Sequence, residues 1–178
     1  MQSFSKALII FATLLGCTAN AGDWRALIER AGFTGFLAAG VSYEWLPEHA
    51  TDVTLGGYQI ANETYYQANI GYRYSRWSTP LKGNDWRPVQ FGAFAVYALN
   101  TDRFFIRSPD KYPSKGYYDE TALRYGAELG STLTFMPSRI AIGYRVRIFD
   151  NGLIAMFNNS NRDIQYYISS GFTLQYLF

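Results

Sequence analysis

The chain has 178 residues, of which 48% are hydrophobic, 18% aromatic and only 17% charged. Tyr (15), Phe (13) and Trp (4) outnumber the 14 acids, which excludes a disordered chain, and the charge content is far under the roughly 25% of an ordinary soluble domain. Net charge is +2 with no Arg/Lys-dense helix, which argues against a nucleic-acid partner.

The longest apolar run, Ala7 to Gly16, falls well short of the roughly 20 residues of a membrane helix. With Lys6 before it and Ala19-Asn20-Ala21 after it, the run reads as a secretory signal over 1–21. The single cysteine, Cys17, would then leave with the signal, and a mature chain without thiols suits an oxidising compartment. Leu14-Leu15-Gly16-Cys17 also resembles a bacterial lipobox, in which case Cys17 is the acylated first residue. Both routes lead out of the cytoplasm. In the next segment, 22–32, Trp24, Leu27, Ile28 and Ala31 recur at helical spacing, with Asp23 as N-cap and Gly32 past the end. The expectation is a short amphipathic helix, lying in a membrane interface or capping a soluble barrel.

From residue 33 onward the period is two. Tyr166, Ile168, Ser170, Phe172, Leu174, Tyr176 and Phe178 share one parity, and comparable alternation runs through 64–76, 120–136 and 139–149. Strands are expected at 33–46, 52–60, 64–76, 87–99, 103–108, 120–136, 139–149 and 164–178. Tight turns at 61–63, 100–102 and 137–138 alternate with longer connections at 47–51, 77–86, 109–119 and 150–163, the pattern of short inner turns and long outer loops. The segment 150–163 leaves a ninth strand open, because Asp150-Asn151-Gly152 also suits a hairpin turn. The fold class is all-β, a closed up-and-down antiparallel transmembrane barrel over 33–178.

Three features favour a membrane barrel over a soluble one. The polar parity is rich in glycine, including Gly40, Gly56, Gly71, Gly92, Gly126 and Gly143, as a crowded lumen would need. Aromatics such as Tyr43, Trp45, Tyr74, Trp77 and Trp86 collect near strand ends, as interface girdles do. Finally, Phe178 follows Tyr176, Leu174 and Phe172 on one face. This set resembles the assembly signal of bacterial outer-membrane barrels, and the architecture is similar to the small eight-stranded barrels typified by OmpA and OmpX. The resemblance implies a monomer in the outer membrane of a Gram-negative bacterium, inserted by the barrel-assembly machinery, with outer-membrane lipids and lipopolysaccharide as neighbours.

An eight-stranded barrel has a lumen just filled by side chains. Glu44, Arg73, Arg103, Arg107, Arg124, Glu128, Arg145 and Arg147 carry lumen parity, with Gln67, Asn69, Gln90, Gln165 and Gln175. They form either a plugging network or, given the excess of guanidinium, an anion site. Lys82, Lys111 and Lys115 fall in the expected outer loops, where lipopolysaccharide phosphates are one partner and water the other.

Two enzyme families bear comparison. The stretch Arg147-Ile148-Phe149-Asp150-Asn151-Gly152 resembles the catalytic region of PagL-type lipid A deacylases, but Arg147 and Phe149 stand where the histidine and serine belong. The PagP-type palmitoyltransferases share a leading helix and carry a histidine beside an Asp-Ser pair. Here His49, Ser78 and Asp85 are the candidates for catalytic roles, on expected outer loops and with no Asp-Ser dipeptide. One histidine and scattered carboxylates give no metal-ligand spacing, and nothing calls for a cofactor. The expected function is a non-enzymatic envelope barrel, the alternative a lipid A-modifying or acyl-chain-binding one.

Overall fold

The computed structural model describes residues 23–60, 62–99, 122–150 and 168–178. Among these residues alternation of side chains becomes nine antiparallel strands, β1 (Asp23–Ala31), β2 (Leu37–Leu46), β3 (His49–Ile60), β4 (Glu63–Tyr74), β5 (Thr79–Leu81), β6 (Asn84–Ala98), β7 (Leu123–Phe135), β8 (Ile140–Phe149) and β9 (Ile168–Leu177). Hydrogen bonding runs β1-β2-β3-β4-β6-β7-β8-β9 and back to β1, a closed ring of eight positions. No helix among the described residues is long and apolar enough to cross a membrane.

Where a helix is expected over 22–32, Asp23–Ala31 is a strand, so the barrel includes it as well as the strands that follow from Leu37. Helical spacing of Trp24, Leu27 and Ile28 competes with an alternation in which Arg25, Leu27 and Glu29 are buried and Ile28 and Arg30 exposed. The alternation wins because β1 satisfies two open edges at once, pairing with β2 from Asp23↔Glu44 to Arg30↔Leu37 and with β9 from Arg25↔Leu177 to Ala31↔Gly171. A 3-10 turn, Gly32–Thr34, follows, and Gly32 (φ 73°) and Gly35 (φ 118°) supply the left-handed backbone that turns the chain into β2.

The expected strand at 103–108 lies outside the described residues, and the ring closes without it, since β6 pairs directly with β7 from Asp85↔Thr134 to Tyr97↔Leu123. Gaining one strand at the start and dropping one in the middle keeps eight positions but reverses the direction of the strands between. The rim that holds Asp23 and Phe178, here the proximal rim, therefore also holds the 47–48 turn and the 75–83 connection, both expected at the opposite end. The distal rim holds Asn62, between β3 and β4, and the ends of β6, β7, β8 and β9, whose connections at 100–121 and 151–167 lie outside the described residues. The 136–139 turn is proximal, as expected.

One connection is built differently from the rest. β5 lies against β6 on the edge that β4 occupies higher up, with Tyr74↔Phe91 ending one ladder and Thr79↔Trp86 resuming it. The two strands turn at Lys82-Gly83, with φ of 49° and 83°, the mirror-image turn that matches strand twist.

Candidate functional site: the lumen

Parity decides what enters the barrel. Inward positions carry Arg25 and Glu29 on β1, Ser42 and Glu44 on β2, Asp52 and Thr54 on β3, Gln67, Asn69 and Arg73 on β4, Gln90 on β6, Glu128 and Thr132 on β7, and Arg145 and Arg147 on β8, all of them buried. A buried charge is tolerated only when paired, and here the pairing is dense. Arg145 lies 3.2 Å from Glu29, 2.9 Å from Asp52 and 3.7 Å from Glu128. Arg147 binds Glu29 and, at 2.6 Å, Glu128. Arg73 grips Asp52 through Nε at 3.0 Å and Nη2 at 2.8 Å and donates to Ser42 Oγ at 2.9 Å. Three guanidiniums thus share three carboxylates.

A second cluster sits towards the proximal rim. Glu44 accepts from Arg25 and from Arg87 at 2.7 and 3.0 Å, and Arg87 also reaches Asp85 at 3.2 Å. Between the clusters Thr132 donates to Gln90 at 2.8 Å. Gln175 is buried here too, and its amide has no partner among the described residues.

At the distal end the β1–β2 connection folds inward and caps the network. Thr34 donates to Glu29 at 3.1 Å, while Gln67 and Asn69 donate to the carbonyls of Phe33 (2.7 Å) and Thr34 (3.2 Å). The Phe33 ring lies on Phe149 with centroids 3.8 Å apart, and Phe94 packs on Phe149 at 5.6 Å. Arg147 stands 5.3 Å over Phe94 and Arg124 4.6 Å over Phe149, favourable faces for a cation. A void of about 10 Å³ remains beside Glu29, Asp52, Asn69 and Arg145, space for one water. Chemically, this is a plug.

Glu44, Arg73, Glu128, Arg145 and Arg147 occupy the lumen as their parity requires, as do Gln67, Asn69, Gln90 and Gln175. Glu44 and Arg73 sit nearer the proximal rim than expected, because β2 and β4 run the opposite way. Arg124 faces inward at the distal rim and pairs with Asp150 at 3.1 Å. Arg103, Arg107, Gln165, Lys111 and Lys115 lie outside the described residues. Sequence reasoning missed Glu29 and Asp52, which with Glu128 balance Arg73, Arg145 and Arg147, and it missed Arg25 and Arg87 around Glu44. Glu29 shares parity with Arg25 and Leu27, a signal masked by the helical spacing, and Asp52 shares parity with Thr54 and Gly56. With them in place, the central cluster has no guanidinium excess to recruit an anion.

His49, Ser78 and Asp85 lie at the proximal rim, with Asp23 and Phe178 and opposite to the end expected for them, and Lys82 is with them. Ser78 donates to Asp85, whereas a triad would place the histidine between serine and acid, and His49 is joined to neither. Its Nδ1 is 2.7 Å from the Tyr72 hydroxyl, and its ring packs among Trp45 (4.9 Å) and Tyr74 (5.1 Å) on the outer face. No group of three or more His, Cys, Asp or Glu among the described residues is placed to hold a metal.

No protein-family model matches the chain, and no curated protein matches it significantly. Among solved structures, the outer membrane enzyme PagL is similar in fold at 13% identity, with a TM-score of 0.48 over 88% of this chain and 98% of that one.

Proposed function

We propose that the chain is a non-enzymatic barrel of the bacterial outer membrane, monomeric and non-conducting, that meets its partners through its outer rim and its lipid-facing surface. The observation that carries this reading is the inversion of polarity across one wall. Leu129, Ile142, Ile70 and Phe172 point outward and are 49–64% exposed, while Arg145, Glu29 and Asp52 point inward and are 1–4% exposed. Water outside would demand the opposite arrangement, whereas a bilayer requires an apolar exterior and a closed ring with no free edge.

The exterior aromatics support the same reading. Trp24 stacks on Tyr43 at 4.6 Å and Tyr176 meets Phe178 edge-on at 5.9 Å, all at the proximal rim, where amphipathic rings mark a membrane–water boundary. The described lumen is lined by ion pairs and amides, which favours an envelope role over acyl-chain binding or lipid A modification. Secretion through the 1–21 signal, insertion by the assembly machinery and contact with lipopolysaccharide belong to this proposal.

Expression of the full chain in a Gram-negative host tests it. The protein should fractionate with the outer membrane, run faster on gels before boiling than after, and give no steady current in planar bilayers. A monomer that stays soluble without detergent would refute the membrane assignment, and a steady open current would refute the plug.

A further inference from the structure

The connection between β4 and β6 is longer than a turn needs to be, and its chemistry is two-sided. Trp86 pairs with Leu133, on the outward parity of β7, whereas Asp85 pairs with buried Thr134. Cross-strand partners share a face, so Thr79 and Leu81 on β5 lie with Trp86 and Asn84 on the outer side. Trp77 joins that side by meeting the outward Phe91 ring edge-on at 6.3 Å. Trp77, Leu81 and Trp86 are 51%, 44% and 39% exposed, so the hairpin continues the apolar exterior past the end of β4.

The other side is occupied by the barrel's own polar groups. Asp85 accepts from Ser78 and Arg87, and Arg87 turns into the lumen to Glu44, which fixes the hairpin base. Trp86 Nε1 donates to Ser131 Oγ at 3.2 Å, which fixes the ring. Two cations of this segment, Arg76 before β5 and Lys82 at the tip, take no part in these bonds. The free edge of β5 is a poor template for a protein strand, because Pro80 at its centre has no N–H to offer. An apolar face continuous with the barrel exterior, flanked by two cations and barred from strand addition, fits a lipid surface.

We propose that the β5–β6 hairpin is a foot seated on the phospholipid surface at the proximal rim. Trp77, Leu81 and Trp86 enter the boundary between acyl chains and headgroups, and Arg76 and Lys82 engage headgroup phosphates. The inference rests on the membrane reading above and adds the partner, a phospholipid headgroup, and the element that binds it.

The test uses the full chain with Trp24→Phe, Trp45→Phe and Trp86→Phe, leaving Trp77 as the reporter, folded into phosphatidylcholine vesicles with or without phosphatidylglycerol. Lipids brominated near the headgroup should quench Trp77, and aqueous acrylamide should quench it poorly. Phosphatidylglycerol should strengthen the lipid quenching, and Arg76→Glu with Lys82→Glu should abolish that gain while the heat-dependent gel shift persists. A Trp77 open to acrylamide and untouched by bromine, in a barrel that still shows the gel shift, overturns the foot. Lipid quenching that ignores both phosphatidylglycerol and the charge reversals overturns headgroup recognition. Loss of the gel shift in the Trp77 reporter itself is decided by repeating the bromine and acrylamide measurements on the chain retaining all four tryptophans against its Trp77→Phe variant. If that chain too fails to insert, the membrane reading falls and the foot with it.

Discussion

Asp52 on β3 and Arg145 on β8 start from opposite walls of the ring, four strand positions apart, and meet at 2.9 Å. That one pair bridges the lumen from wall to wall. Asp52 also anchors Arg73, so Asp52→Ala would leave two guanidiniums short of a carboxylate in a buried site. Removing one partner of a buried pair costs about 3–5 kcal/mol. Urea unfolding in vesicles, followed by tryptophan fluorescence, should show a loss of that size for Asp52→Ala and a smaller one for Asp52→Asn, which keeps an oxygen for Arg73.

Glycines in the lumen divide by what they face. A Cβ on Gly126 would stand 2.0 Å from the backbone oxygen of Ile148, whereas a Cβ on Gly71 would meet nothing nearer than 3.9 Å. Neighbouring backbone cannot rotate away as a side chain can. Gly126→Ala should therefore destabilise by about 1–3 kcal/mol or prevent folding. Gly71→Ala should be neutral or stabilising by up to ~1 kcal/mol, since alanine restricts the unfolded chain. The same urea titration separates the two.

The lumen glycines illustrate how far the sequence could be read. Their shared parity was legible, and so were the strands over 123–135, 140–149 and 168–177, because each sits on an unbroken period of two. The reason for Gly126 was not legible, since a backbone approach between β7 and β8 leaves no mark on composition. β1 was misread because nine residues hold too few turns to separate period 2 from 3.6 when charges occupy the inward positions. That misreading hid Glu29, and with it the charge balance of the plug. It also reversed the rims, which moved His49, Ser78, Asp85 and Lys82 to the wrong end.

The apolar exterior makes its own forecast. Leu129 is at the middle of β7, points outward and is 51% exposed. In water, Leu129→Arg would be nearly neutral; at a bilayer midplane an arginine costs about 2–4 kcal/mol. Folding equilibria in vesicles should show the larger loss, and an unchanged equilibrium would argue for an aqueous exterior.

His49 has found a structural partner in Tyr72, at 2.7 Å. His49→Ala should cost about 1–3 kcal/mol, for one hydrogen bond and the ring contacts with Trp45 and Tyr74. Mass spectra of lipid A from cells expressing the wild-type chain, the variant and neither should be identical. A modification that appears with the wild type and disappears with His49→Ala would restore the acyl-transfer reading.

Phe178 separates barrel stability from barrel assembly. Its backbone N–H donates to the carbonyl of Trp24 at 3.1 Å, a bond that any residue keeps, while its ring is 69% exposed and touches Tyr176 edge-on. Phe178→Ala should thus cost about 0.5–1.5 kcal/mol in purified vesicles, the worth of one aromatic pair. If Phe172, Leu174, Tyr176 and Phe178 form the face that the assembly machinery recognises, the same substitution should sharply lower the inserted fraction in cells. Pulse-labelled membranes scored by the gel shift measure that fraction, and urea refolding of the purified variant measures the stability. Equal losses in both would assign Phe178 to the barrel wall and remove the assembly role.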